Sequence, residues 1–123
     1  MRFTNGWRRR SAIVNDTKLA GLLGMARRAG RLSIGFDASV ASAESGKTSL
    51  ILLATDASPK TAKECTFAAE TYGVQAMTLP FDKAALSEAI GMHKPVAVVA
   101  VCDSGFAKAI RPHCNSSKEE HSL

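Results

Sequence analysis

Two uninterrupted apolar runs, Leu50-Ile51-Leu52-Leu53-Ala54 and Val96-Ala97-Val98-Val99-Ala100-Val101, constrain this chain most. Both are strand-sized, and neither alternates apolar with polar positions as a strand with one wet face does. They read as strands covered on both sides. Each leads into an acidic, helix-starting loop: Asp56-Ala57-Ser58-Pro59 after the first and Asp103 after the second. Strands buried on two faces need helices above and below the sheet.

The rest of the chain supplies them. Asp16 or Thr17 is placed to cap a first helix, in which Leu19, Leu22, Leu23 and Ala26 fall at helical spacing, and Gly30 ends it as a left-handed cap. Leu32 to Ile34 reads as a short strand. Gly35 opens a serine- and alanine-rich second helix running to about Gly46. Ser58 caps a third, with Pro59 at the favoured first position, Ala62, Cys65, Ala69 and Tyr72 inward, and Gly73 as the stop. Val74 to Leu79 is strand-like. Asp82 caps a shorter helix with Ala85, Leu86, Ala89 and Ile90 inward, closed by Gly91, and Asp103 starts a last helix ending before Pro112. Strand and helix alternate throughout. The expected fold is α/β, a three-layer α/β/α sandwich around a small four-stranded mixed sheet.

At 123 residues and 46% hydrophobic content, the chain is sized for one core, expected over 15–112. Residues 1–14 read as a flexible basic arm containing Arg8-Arg9-Arg10 and Trp7, and 113–123 as a polar tail. The formal net charge of +5 is unevenly spread. Residues 1–47 hold nine Lys/Arg against three Asp/Glu, and the remainder seven against eight. That asymmetry points to a polyanion on the N-terminal side, or else to a solvated basic tail. Cys65, Cys102 and Cys114 are odd in number and widely spaced, which suits reduced thiols rather than disulfides or zinc. No signal-peptide or membrane-spanning stretch is visible, so the expected location is cytoplasmic, with no membrane partner.

Apparent motifs dissolve under inspection. Gly46-Lys47-Thr48 resembles the end of a phosphate-binding loop, but Ala41 stands where that loop needs a glycine, and the surrounding order is helix then strand. Asp56 and Asp103 occupy acceptor positions of receiver-type folds, yet no acidic pair follows the first strand; both read as helix or turn caps. His93, His113 and His121 lack ligand or nucleophile neighbours. No catalytic residue, cofactor or metal site is expected, and the chain reads as a non-enzyme. The turn Gly91-Met92-His93-Lys94-Pro95 is either a plain linker or a surface that packs on nucleotides.

Gly35 opening a helix, Leu50 to Ala54 followed by Asp56-Ala57-Ser58-Pro59, Gly91 with its loop, and Val96 to Val101 together resemble the L7Ae/L30e ribosomal protein family over roughly residues 17–111. Asp56-Ala57-Ser58 with Thr61 and Lys63 is similar in particular to its small bacterial YlxQ-type members. The resemblance implies an α/β/α sandwich and binding of kink-turn RNA, in which tandem sheared G·A pairs follow a bulge. It also implies the motif Gly-x-Asn-Glu-x-x-Lys at the second helix, whose Asn and Glu read guanine edges and whose Lys meets the backbone, with flanking loops after the second strand and before the last. Here Gly35 is kept, Asp37 stands at the Asn position, Ala38 at the Glu position and Ala41 at the Lys position, and Ser58 replaces an acidic residue common in the family's kink-turn binders. Losing two base readers at ~1–3 kcal/mol of discrimination each would lower affinity or change the preferred RNA.

The expectation is therefore a structured-RNA-binding protein, with kink-turn or ribosomal RNA as partner and association with ribosomal proteins. Its interface residues would be Gly35, Phe36, Asp37, Ala38 and Ala41, with Asp56, Ser58, Met92, His93 and Lys94. Arg27, Arg28 and Arg31 would serve phosphates. The alternatives are a protein-interaction module using the small-residue second helix, and last, the RNA-recognition piece of an RNA-modifying enzyme.

Overall fold

The computed structural model describes residues 17–116; the expected basic arm, with Trp7 and the triple arginine, the Asp16 cap and His121 lie outside them. A first helix, α1, occupies 17–28 and buries Leu19, Leu23 and Ala26 completely. Gly30 turns the chain at φ +73°, and the Arg31 N–H closes the helix on the Ala26 carbonyl at 2.8 Å. There follow β1 (Leu32–Ile34), α2 (Phe36–Glu44), β2 (Leu50–Leu53), α3 (Pro59–Tyr72), β3 (Gln75–Thr78), α4 (Lys83–Ala89), β4 (Val98–Val101) and α5 (Ser104–Ile110).

The sheet runs β1-β4-β2-β3, with β2 and β3 parallel and the β1–β4 and β2–β4 pairs antiparallel. Every residue of β2 and β4 is buried, which is why both lack polar positions. Their side chains alternate between two cores. Leu50, Leu52, Val99 and Val101 pack with Leu19, Leu23, Leu86, Ile90 and Ile110 of α1, α4 and α5. Ile51, Leu53, Val98 and Ala100 face Ala43 of α2 and Cys65 and Ala69 of α3. The three-layer sandwich and the four main strands of the mixed sheet are present as expected, with a short fifth strand added beside β3.

Differences fall at element ends. Residues 111–113 form a 3-10 turn and Asn115–Ser116 a two-residue strand, β5, antiparallel to β3, so the chain read as tail from 113 adds to a sheet edge. The α2 helix stops at Glu44, with Gly46 at φ +80°. Tyr72, expected to face inward, is 38% exposed. It lies in the last turn of α3, where Glu70 and Thr71 are exposed as well.

The connection from α4 to β4 is braced from α1. The Arg27 Nη1 donates to the Ile90 carbonyl at 2.8 Å, and the next residue, Gly91, sits at φ +74°. The positive φ favours glycine, and a Cβ there would lie 3.2 Å from that same nitrogen, close enough to push the brace aside by a few tenths of an ångström.

Ser39 is fully buried on α2, and its Oγ has no hydrogen-bond partner among the described residues. Leaving a buried hydroxyl unpaired is costly, and alanine is the better helix former. Ser39→Ala should raise stability by about 1 kcal/mol, seen as a higher urea midpoint at unchanged slope.

Burial, and secondarily the Glu64 charge, pushes the Cys65 thiol up to about 11, and burial pushes Cys114 up to about 12. Unfolding returns both to water, where they ionise near 9.0. The folded state then holds protons the unfolded chain releases, so this stability is present below pH 9.0 and declines as pH climbs toward 11. The urea midpoint should fall between pH 8 and about 10.5, and fall less in a Cys65→Ala/Cys114→Ala variant.

Candidate nucleic-acid interface

Because β4 is antiparallel to both β1 and β2, the C-terminal ends of those two strands meet the N-terminal start of β4 at one sheet edge. Gly35 closes β1 by donating its N–H to the Val98 carbonyl at 2.8 Å. Beside it, the chain leaving β2 is held by the Ala54 N–H on the Ala97 carbonyl at 2.9 Å. Three separate segments are thereby brought together: the start of α2, the turn after β2 and the approach to β4.

Gly35 is the N-cap of α2, with φ +96° and ψ 161°, and supplies no side-chain acceptor to the helix. That backbone region is essentially closed to residues with a Cβ, and nothing crowds the position, so conformation alone demands the glycine. The first-turn N–H groups of α2 consequently have no cap side chain, and such ends favour acceptors. Asp37, Ala38 and Ala41 are exposed, while Phe36 is half-buried against the α2/α3 core.

The acidic turn is partly spent on the fold. Asp56 accepts the Lys83 N–H at 2.8 Å, capping α4 jointly with Asp82, which accepts from Ala85 at 2.8 Å. Ser58 accepts the Thr61 N–H at 3.1 Å as the cap of α3, and Asp103 accepts from Phe106 at 2.9 Å in α5. The cap reading of both aspartates is correct. For Asp56 the helix it caps is α4, 27 residues ahead, which no local pattern signals.

Between α4 and β4, the buried Ser87 organises the turn: its Oγ lies 2.9 Å from the Met92 carbonyl and 2.6 Å from the Lys94 carbonyl. Sequence reasoning missed Ser87, whose only signal is a hydroxyl beside Leu86 on an apolar helix face. Met92 is half-buried against the core, whereas His93 and Lys94 are exposed.

The three arginines do not gather at this edge. The Arg27 guanidinium is committed to the Ile90 carbonyl. Arg28 and Arg31 are exposed, but the Arg31 carbonyl accepts from Cys102, just past the far end of β4. A four-residue strand, about 13 Å, separates that point from Gly35. Lys60 and Lys63 are instead the cations on the first turns of α3, next to Ser58; of the two, Lys60 was not singled out in the sequence. Among the described residues no cluster of three His, Cys, Asp or Glu is placed to hold a metal, and no helix is long and apolar enough to cross a membrane.

Comparison with known proteins agrees with this architecture. RNA-binding protein YlxQ of Enterococcus faecium is 35% identical over 94 residues, covering 76% of this chain and 88% of the relative. RNA-binding protein YlxQ of Bacillus subtilis (strain 168) is 37% identical over 89 residues, covering 72% and 87%. Among solved structures, a protein of unknown function from Bacillus halodurans C superimposes with a TM-score of 0.71 at 30% identity, covering 77% of this chain and 94% of that one. The Giardia lamblia 15.5kD RNA binding protein gives 0.68 at 20% identity, covering 80% and 87%, a likeness of fold. The family described as ribosomal protein L7Ae/L30e/S12e/Gadd45 matches residues 17–111. With that match spanning the whole sandwich, and relatives this similar over most of their length, the chain belongs to the L7Ae/L30e/S12e/Gadd45 ribosomal protein family.

Proposed function

We propose that this protein binds structured RNA of the kink-turn or ribosomal type, without catalysing a reaction, in the cytoplasm and in company with ribosomal proteins. The observation that carries the reading is the convergence of the uncapped start of α2 with the turns after β2 and before β4. The names of the YlxQ relatives support it. In this reading Gly35 and Phe36 bring backbone donors against the RNA and Asp37 accepts from a guanine N–H. Ala38 and Ala41 leave room for the sugar-phosphate chain, and His93 and Lys94 cover the opposite side. Asp56, Ser58 and Met92 shape the walls through the contacts they already make. Of the arginines, Arg28 and Arg31 would reach only flanking phosphates, and Arg27 acts as a brace.

Titration of a kink-turn RNA against a straight duplex at low and at moderate salt tests the proposal. The kink-turn should bind tighter at both, with both affinities falling as salt rises; equal affinity for the two RNAs overturns it. Asp37→Asn adds an amide donor and removes a charge facing phosphate, so it should tighten kink-turn binding by about tenfold, within the range of one base contact. Lys94→Gln should weaken both RNAs alike and flatten the salt dependence.

A second reading is a protein-interaction module, favoured by the exposed, side-chain-poor surface at Ala38 and Ala41. Co-purifying protein that survives nuclease and is lost on Ala41→Arg would favour it over RNA binding.

A further inference from the structure

An apolar groove of about 650 Å³ lies between α2 and α3. Phe36 and Val40 line it from α2, and Phe67, Ala68 and Tyr72 from α3, with Lys60 and Lys63 at its basic end. Phe67 is 70% exposed, although a phenylalanine left in water forgoes most of its burial energy. Together with the half-covered Tyr72 it forms an aromatic surface that the described residues leave open. The groove is continuous with the candidate interface, because Phe36 follows Gly35 directly.

Charge selects among occupants. The arm ahead of α1 carries Arg2, Arg8, Arg9 and Arg10, and would bring like charge to Lys60 and Lys63, which outnumber Glu64. A second copy docked groove to groove would present the same surplus of positive charge and gain no charge complementarity. Phosphates meet opposite charge there, and every nucleobase offers a face to an aromatic ring. Cations beside exposed aromatics are how proteins hold single strands without reading their sequence.

We infer that this groove takes unpaired nucleotides running off the structured RNA, their bases stacking on Phe67 and Tyr72 and their phosphates near Lys60 and Lys63. The inference rests on the RNA reading above. It adds a site for single-stranded flanks that the family motif at α2 does not include.

The test uses the full chain and kink-turn RNA with no tail, or with a short oligouridine tail on the 5′ or the 3′ end, read by fluorescence anisotropy. One tailed RNA should bind about fivefold tighter than the untailed form, as expected for a single stacked base. Phe67→Ala should abolish that gain and leave untailed binding unchanged, and Lys63→Gln should reduce the gain most at low salt. Phe67 is exposed enough that its truncation opens no core cavity, which a thermal melt verifies. Equal binding of tailed and untailed RNA, or a gain that survives Phe67→Ala, overturns the groove and leaves the interface at Gly35 standing. Failure to bind any kink-turn, with oligouridine alone bound in a Phe67-dependent way, overturns the Gly35 interface and keeps the groove. A concentration-dependent dimer that Phe67→Ala turns into monomer, without a tail effect, assigns the groove to protein and overturns the inference.

Discussion

Antiparallel pairing of β2 with β4 joins two strands that are distant in sequence and completely buried, and it determines what lies at each end of the sheet. Leu53 sits opposite Val98, so the chain leaving β2 and the chain arriving at β4 share one edge. On the far side of β4, Ile34 opposite Val99 brings the end of β1 to the same place. A slip of one residue between β2 and β4 would turn Ile51 and Leu53 toward the wrong core and shift the turn at Ala54 along the sheet relative to Gly35. The two-sided burial of these strands therefore secures the register on which the candidate interface depends.

Around that edge, the fold and the binding surface draw on the same residues. Asp56 and Ser58 are helix caps first, and whatever they offer to RNA comes from what those bonds leave over. Ser87 and Arg27 act from behind the surface: one gathers the Met92 and Lys94 carbonyls, the other holds the Ile90 carbonyl. The turn displaying His93 and Lys94 is thus shaped by a buried hydroxyl and by a guanidinium from α1. Gly35, by contrast, owes its identity to backbone conformation alone.

The electrostatics reward attention to place rather than to totals. The first 47 residues carry all of the excess positive charge. Yet α1 ends at the opposite end of β4 from Gly35, so Arg31 does not stand over the start of α2. The cations of the flanking elements are Lys94 on one side and Lys60 and Lys63 on the other, with Lys83 beside Asp56 at the start of α4. Within α2, Asp37 suits the helix dipole while opposing phosphate, so local helix stability and anion binding pull in different directions there.

Most of the architecture was legible in local signals. Apolar runs marked the two central strands, Ser58, Asp82 and Asp103 marked helix starts, and Gly30, Gly73 and Gly91 marked stops. Each of these is set by backbone chemistry within a few residues. Element ends were less legible: Tyr72 belongs by periodicity to a buried face, yet at the end of α3 it lines the open groove beside α2 and is 38% exposed. The edge residues Gly35, Asp37 and the turn at Asp56 were also readable, because a glycine after a strand and an acidic helix start are local features. What tertiary structure alone decided was juxtaposition. Asp56 capping α4, Arg27 bracing Ile90, Arg31 falling at the wrong end of β4 and Phe67 flanking a groove with Phe36 all join residues far apart in the chain. Sequence determines such pairs only through the packing of whole elements, since no neighbouring residue records which strand end will lie beside which.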